Sequence, residues 1–560
     1  MLAVLRARFF EYTSAVESLR RHRALLLAVV GGVAFALTSP PTDLYPAVII
    51  GLALLAASLG SGDGRAPLPP DRWPESPTFL RAFGRGAAWG TAAGLIGLRF
   101  VPAVIQRFTP LGAPVSFLAL FLLAAAQSLI WAIGAGVTAV LHRRARVPFE
   151  LAFGAGVLVS LCIPTIFAWS PAGLVSPWPA FVQLADVIGE RGVSVLFAIG
   201  AALFARAAHI ALSSNHRRAL RPALAAIALF TVLPIHGALR MAAIARDGAA
   251  LPTLRVGLVD HAVKPLDRWN HAHHPAIVRT LRGLTRTLEA QGAELVVWPE
   301  AAYPYPIAHD ARTAPDGPNA IIGHGVRGPV IAGLITEDAP VVADDGTVVR
   351  SFYNSATLVS PDGSTQPPYD KLELLWFGET VPGSAYIPWL RRTFQRSGGL
   401  VPGDAPRALE LSPPPAGGPH VRMAVLNCYE DTLPGLGRRL ANALAPSLLV
   451  NVTNDAWFYA TAEPELHARL GAMRAVELRR DLVRAVNLGV TSWIDAAGVV
   501  RARYEEQKPG SLLVTPTIRE GAPTLYARFG DVPLFVLLAA ASIAFAVRAR
   551  RAAPIAEAKS

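Results

Sequence analysis

Eight apolar runs decide what this chain can become. Seven crowd into the first 241 residues: Ala24–Ser39, Tyr45–Leu59, Gly84–Ile105, Val115–Leu141, Leu151–Trp169, Val182–Leu212 and Ala219–Met241. The eighth, Val532–Val547, stands alone near the end. A bilayer core is crossed by about 17–25 residues of helix. Inside it, a helix satisfies its own backbone polar groups. The runs therefore predict an α-helical membrane bundle of about eight transmembrane helices. Composition agrees: charged residues make up only 16% of the chain and hydrophobic ones 52%, where a soluble domain carries about 25% charged residues. The formal net charge of +12 does not point to nucleic acid, because the arginines flank apolar runs instead of clustering on one soluble face. No cleavable leader is expected, since the basic stretch Arg6–Arg23 is too long and no small-residue cleavage pattern follows it.

Arginine placement orients the bundle. Arg6, Arg8, Arg20, Arg21 and Arg23 precede the first run, and Arg65, Arg72, Arg81 and Arg85 follow the second. Arg143, Arg144 and Arg146, then Arg217, Arg218 and Arg221, mark the fourth and sixth loops, and Arg548, Arg550 and Arg551 the tail. The intervening loops Ser39–Leu44 and Ser170–Ala180 carry no arginine, and the third has little beyond Arg107. By the positive-inside rule both termini lie in the cytoplasm and residues 250–528 face outward. The expected division is 1–245 with seven spans, 250–528 as an extracytoplasmic domain, and 529–560 as the last span and a cytoplasmic tail.

The outward segment changes character. Short β-rich runs (Leu254–Val259, Leu295–Trp298, Val330–Ile335, Ser351–Val359, Val421–Asn427, Leu448–Asn451, Thr491–Ile494) alternate with helical ones (His274–Gln291, Leu436–Leu444, Glu465–Val486). That order predicts an α/β domain with a covered sheet. Three expected strands end in reactive side chains: Glu300 in LVVWPEAAY, Lys371 and Glu379 in PPYDKLELLWFGETVP, and Cys428 in VLNCYED. Functional groups in open α/β sheets gather outside the strand carboxyl ends. A free thiol titrates near 8.5, so Cys428 needs a base; a carboxylate supplies one, and a lysine ammonium stabilises the developing oxyanion. Taken singly, each residue reads more simply: a buried thiol, a surface turn, a solvated lysine. The chain has two cysteines, and Cys162 lies in an apolar run, so no bridge between them is expected.

The flanking motifs carry a resemblance. WPEAA at 298–302, YNSATLVSPDG at 353–363, YDK and FGETVP within 369–382, CYED at 428–431, NVTNDAWF at 451–458 and RAVELRRDLVRAVNLGVTSWIDAAG at 474–498 resemble the nitrilase, or carbon–nitrogen hydrolase, superfamily. With QLADVIGERGVS at 183–194 in the helical half, the set is similar to its membrane branch, the apolipoprotein N-acyltransferases. The resemblance implies an α-β-β-α nitrilase-like sandwich and a Glu-Lys-Cys set in which Cys428 is nucleophile, Glu300 general base and Lys371 oxyanion stabiliser. It implies supporting or substrate-binding roles for Glu379, Tyr429, Glu430, Trp269, Asn451, Asn454 and Trp457. A membrane phospholipid would be the acyl donor and a diacylglyceryl-cysteine apolipoprotein the acceptor, in a bacterial inner membrane, with no metal or other cofactor. Asp431 is expected only to begin the following helix. The pattern departs at Trp376, at Asp260-His261 and at Tyr459.

The loop 372–390 is expected to expose Leu374, Leu375, Trp376, Tyr386, Ile387, Trp389 and Leu390 for lipid access at the bilayer, where Trp and Tyr favour the interface; packing on the core is the alternative. Residues 468–486 read as a covering helix with a charged outer face, in which Arg474, Glu477 and Arg480 form ion pairs. GHGVRG at 323–328 is no dinucleotide fingerprint, because Pro329 and a β run follow. HAHH at 271–274 reads as a solvated helix start, and NVT at 451–453 as scaffold. Two other readings stay open: a membrane-tethered amidase with water as acceptor, and a non-enzymatic membrane protein with a degenerate domain.

Overall fold

Glycine spacing sets how closely the helices of the first half approach. The computed structural model describes residues 22–62, 75–212, 216–342, 348–376, 378–381, 387, 399–412 and 420–552. Gly86, Gly90 and Gly94 recur every four residues along Phe79–Gly97, so they form one stripe, and that stripe lies against Ala113–Arg143. A Cβ on Gly86 would sit 2.4 Å from the Trp131 carbonyl oxygen, and one on Gly90 would sit 2.9 Å from Ser128 Cα. Small residues at such spacing let backbones meet where lipid offers no hydrophobic drive.

The eight expected spans are reduced here. Among the described residues, three helices, Ala113–Arg143, Ala185–Leu212 and His216–Gly248, are long and apolar enough to cross a membrane. A fourth span is gained if Phe79–Gly97 and Val101–Phe108, bent by 56°, count as one. His22–Ala36, Ala47–Gly60, Phe149–Cys162 and Val532–Arg548 are apolar but shorter. One of the runs is cut by proline: Phe149–Cys162 stops before Pro164, since the residue preceding a proline is pushed out of the helical region.

From Val256 onward the described residues build two large sheets, besides a small pair of Val341–Val342 with Val348–Val349. One runs Gly510–Val514, Val256–Asp260, Leu295–Val297, Val330–Glu337, Phe352–Val359 and Tyr369–Asp370, with Ile307–Ala308 as its seventh strand beside Val330–Glu337. The other runs Val500–Tyr504, Thr491–Ile494, Leu482–Asn487, Leu448–Asn454, Val421–Asn427 and Ala408–Leu411. The inner strands of each sheet are parallel and the outer ones antiparallel, except Ile307–Ala308, which runs parallel to Val330–Glu337. Side chains of both sheets share one core, in which Leu258, Val297 and Ile331 meet Val425, Val450 and Ala485. His274–Ala290 covers the first sheet through Ile277, Val278 and Leu281. Pro434–Leu444 and Glu463–Leu478 cover the second. The result is the expected α-β-β-α sandwich.

The expected helix Glu465–Val486 is in fact a helix and a strand. Glu463–Leu478 ends at Arg479, whose φ is +51°, and Leu482–Asn487 continues as one of the two middle strands of the second sheet. Nor does the helix have a charged outer face. Leu466, Leu470, Met473 and Val476 pack into the helical half beside Phe197 and Leu174. Its charges are buried and paired: Arg474 holds Glu190 at 2.6 Å and Glu477 at 2.9 Å. Arg479 binds Asp186 at 2.9 Å and the Gln183 side chain at 2.8 Å. Arg480 donates to the carbonyls of Pro446 and Gly521 instead of to an acid.

Candidate active site

The turn that carries Cys428 is bent and heavily tied. Val421–Asn427 ends, Cys428 takes φ +57°, and a 3-10 helix runs Cys428–Thr432. A non-glycine residue in that region is strained and persists only where its surroundings hold it. Glu430 does much of that holding. It is buried and accepts from the Asn427 N–H at 2.7 Å, the Leu372 N–H at 2.7 Å, the Glu373 N–H at 2.9 Å and the Tyr369 hydroxyl at 2.7 Å. Burial pushes Glu430 up to about 7, against the pull of Lys371 and these donors. The Asn451 amide donates to the carbonyls of Cys428 and Leu426, each at 3.0 Å. Asn451 is fully buried, which fits scaffold.

Three further strand ends converge on this turn. Glu300 follows Leu295–Val297 and Lys371 follows Tyr369–Asp370. Lys371, 1% exposed, places its ammonium 3.2 Å from Glu300 and 2.8 Å from Glu379. The other Glu300 oxygen accepts the Asn454 N–H at 2.8 Å. Asn354 completes the ring. Its Nδ2 donates to Glu300 at 2.6 Å and to Glu379 at 2.7 Å, and its Oδ1 accepts from Asn427 at 3.0 Å. Sequence reasoning quoted the motif around Asn354 without assigning it. The available signal was an amide side chain within an expected buried strand, where a buried polar group needs partners.

Electrostatics divide the roles. Burial and then Glu300 push the Cys428 thiol up, while Lys371 and His467 pull it down; the net shift is upward. The resting group is a neutral thiol. Burial acts to lower Lys371, but Glu300, Glu379 and Cys428 raise it well above the ordinary range, so it stays an ammonium. A neutral thiol beside a carboxylate and a fixed cation is an arrangement in which a proton can be removed from the thiol and developing negative charge can be stabilised.

The remaining expected residues fall in two places. Tyr429 donates to the Leu374 carbonyl at 3.2 Å, and the Lys371 ammonium lies 5.5 Å from its ring centroid. Trp269 and Trp457 meet each other, with centroids 5.7 Å apart, and Phe108 of the bent helix joins both. Tyr459 lies under Arg107, 3.8 Å from ring centroid to guanidinium, while Arg107 donates to the carbonyls of Trp457 and Tyr459. The departure at 459 thus ties the bent helix to the loop after Asn454. The departure at Asp260 is also structural, since its carboxylate accepts from Ala262 and Leu488 N–H groups.

The loop expectation holds unevenly. Leu374 is buried and Leu375 half-buried, because the turn folds back so that the Leu375 N–H donates to Glu379. Trp376 is 49% exposed and Ile387 48%. Tyr386, Trp389 and Leu390 lie outside the described residues. Asp431 departs more sharply. It does not merely open a helix: it is fully buried, ion-paired to Arg484, and 3.0 Å from His467. HAHH forms a short 3-10 turn capped by Asn270. The one group of metal-ligating type among the described residues is Asp455, Glu463 and His467, but both His467 nitrogens already face carboxylates.

The carbon-nitrogen hydrolase family model matches residues 255–521. Residues 31–203 match the apolipoprotein N-acyltransferase N-terminal domain. An apolipoprotein N-acyltransferase of Bradyrhizobium diazoefficiens is 30% identical over 561 residues, covering 94% of this chain and 95% of its own. One of Geobacter metallireducens is 28% identical over 546 residues, covering 94% and 96%. The chain belongs to the apolipoprotein N-acyltransferase family. Among solved structures, an amidase from Nesterenkonia sp. AN1 matches at 19% identity and a TM-score of 0.31, over 50% of this chain and 98% of that one.

Proposed function

We propose that this membrane protein transfers an acyl chain from a membrane phospholipid, through a thioester on Cys428, to the N-terminal amine of diacylglyceryl-cysteine in apolipoproteins. The observation that carries this reading is the convergence of Glu300, Lys371 and Cys428, ringed by Asn354 and Glu379, in a chain of this family. Glu300 takes the thiol proton as Sγ attacks the ester carbonyl. Lys371 stabilises the tetrahedral oxyanion. The C–O bond breaks, the glycerol oxygen receives the proton from Glu300, and lysophospholipid leaves. The acceptor amine then attacks the thioester, gives its proton to Glu300, and the C–S bond breaks; the thiolate is reprotonated. Covalent catalysis of this kind replaces one hard transfer by two easier ones.

The residue divisions 1–245, 250–528 and 529–560, the seven-plus-one spans, the inner membrane and an extracytoplasmic catalytic domain all belong to the same proposal. Arginine alternation supports the orientation. The four shorter apolar helices support the higher span count, since a short span is accommodated by local bilayer thinning or by flanking residues that reach the interface. Trp376 is assigned to lipid access because a half-exposed indole sits three residues before Glu379. Trp376→Ser should slow acylation from bilayer phospholipid on the order of tenfold, the loss expected of one anchored apolar side chain, and leave reaction with a water-soluble ester probe unchanged. Equal loss with both donors would remove Trp376 from that role.

The test of the function is transfer in a defined mixture. Purified protein, phospholipid vesicles and a synthetic diacylglyceryl-cysteine peptide should yield peptide heavier by one acyl chain, together with lysophospholipid. Free fatty acid in place of acylated peptide would mean that water is the acceptor and would contradict the acyltransferase reading.

A further inference from the structure

His467 sits in the middle of the catalytic architecture, and no step above uses it. It projects from the covering helix Glu463–Leu478 and is 4% exposed. Its Nε2 is 3.0 Å from Asp431, three residues beyond Cys428 in the nucleophile's own 3-10 turn. Its Nδ1 is 3.0 Å from Asp455, the residue after Asn454, whose N–H orients Glu300. The two acids thus belong to turns that follow adjacent parallel strands, Val421–Asn427 and Leu448–Asn454. One turn bears the nucleophile and the other holds the base. His467 is a direct side-chain bridge between them.

The chemistry of the bridge fixes its charge. Each ring nitrogen faces a carboxylate oxygen, and a carboxylate only accepts. A neutral imidazole would turn a lone pair toward one of them; the imidazolium donates to both. Burial pulls His467 down, but Asp455, Glu463 and Cys428 pull it up, to about 10 overall. The groups facing it are Asp431, Asp455, Glu463 and Cys428, with Arg484 beyond on the other oxygen of Asp431. Burial and then Asp455 push Glu463 upward, toward its neutral form. The two acids have little room to move. A Cβ on Gly471 would lie 2.4 Å from an Asp431 oxygen, and one on Gly489 would lie 2.5 Å from an Asp455 oxygen.

We infer that His467 is a positioning residue: as an imidazolium donating from both nitrogens, it locks the turn of Cys428 to the turn that orients Glu300, and so sets the alignment through which the base takes the thiol proton. The inference rests on the reading of Cys428 as nucleophile and Glu300 as base. It also gives Glu463–Leu478 a second task. The helix that packs on the membrane half through Leu470 and Met473 holds the catalytic turns from its other side.

The test is alkylation of Cys428 by iodoacetamide, followed peptide by peptide by mass spectrometry, in full-length protein in detergent. With an aligned base, the rate should be nearly flat from about pH 6.5 to 8.5, because Glu300 and not hydroxide removes the proton. His467→Gln cannot donate to both carboxylates across the same span. It should react about 100-fold more slowly near pH 7, the lower range of a lost general base, with a rate rising about tenfold per pH unit, as for an unassisted thiol. Loss of a buried cation between two buried carboxylates should lower the thermal midpoint, so the rates are compared at a temperature where both proteins are folded. Where His467→Gln fails to fold, Asp455→Leu takes its place, because it is close in size and leaves the Nδ1–H without an acceptor; the same slow, sloped profile is expected. A folded variant with the parental rate and a flat profile overturns the inference. A sloped profile in the parent protein instead overturns the assignment of Glu300 as base, leaving the two failures distinct.

Discussion

Glu300→Gln should lower the rate of Cys428 acylation by about 10³-fold or more and should also cost stability. The first effect follows from the base itself: general base catalysis contributes about 10²–10⁴, and the thiol here is neutral at rest. The second follows from the donors. Lys371 and Asn354 point at one Glu300 oxygen and the Asn454 N–H at the other. A glutamine can offer its oxygen to only one side, so its NH2 must face a donor on the other. A buried donor left without an acceptor costs about 1–3 kcal/mol. Stopped acylation kinetics and thermal unfolding of the same preparation check both. Loss of rate with no loss of stability would mean that the hydrogen-bond ring around Glu300 is looser than drawn.

Arg474→Met should be the most destabilising single change at the contact between the catalytic sandwich and the membrane helices. Arg474 is fully buried and holds Glu190 and Glu477. Breaking a buried pair by removing one partner costs about 3–5 kcal/mol, because a charge is left without compensation. Two carboxylates are stranded here. Adding Glu190→Gln and Glu477→Gln to Arg474→Met should therefore recover a large part of the loss, although it removes more polar contacts. Unfolding in detergent micelles decides the matter. A single variant as stable as the parent, or a triple variant worse than the single one, would show that burial of these charges is not what binds the two halves.

The same contact shows what was legible in the sequence. QLADVIGERGVS and RAVELRRDLVRAVN were each readable as motifs, but not as partners. Gln183, Asp186 and Glu190 of the first meet Arg479 and Arg474 of the second across nearly 300 residues of chain. A basic helix whose acids lie that far away in sequence looks like a solvated face, which is why its burial went unseen. Glu300, Lys371 and Cys428 were singled out by their flanking motifs, and the fold brings Lys371 against Glu300 and the turn of Cys428 close to both. Asn354 was not, since its two acids arrive from loops 54 and 25 residues away. Asp431 followed local rules as a helix-starting acid, and tertiary pairing with Arg484 and His467 overrode them. Helix length was overread in one run: apolarity continues past Pro164 to Trp169, but the helix ends at Cys162.

The most direct measurement is the intact mass of purified protein incubated with phospholipid and no acceptor, beside Cys428→Ser. A hydroxylamine-labile gain of one acyl chain on the parent alone, discharged when a diacylglyceryl-cysteine peptide is added, is the predicted result. No acyl gain on a protein whose Cys428 still reacts with a soluble ester probe would contradict the thioester route from phospholipid.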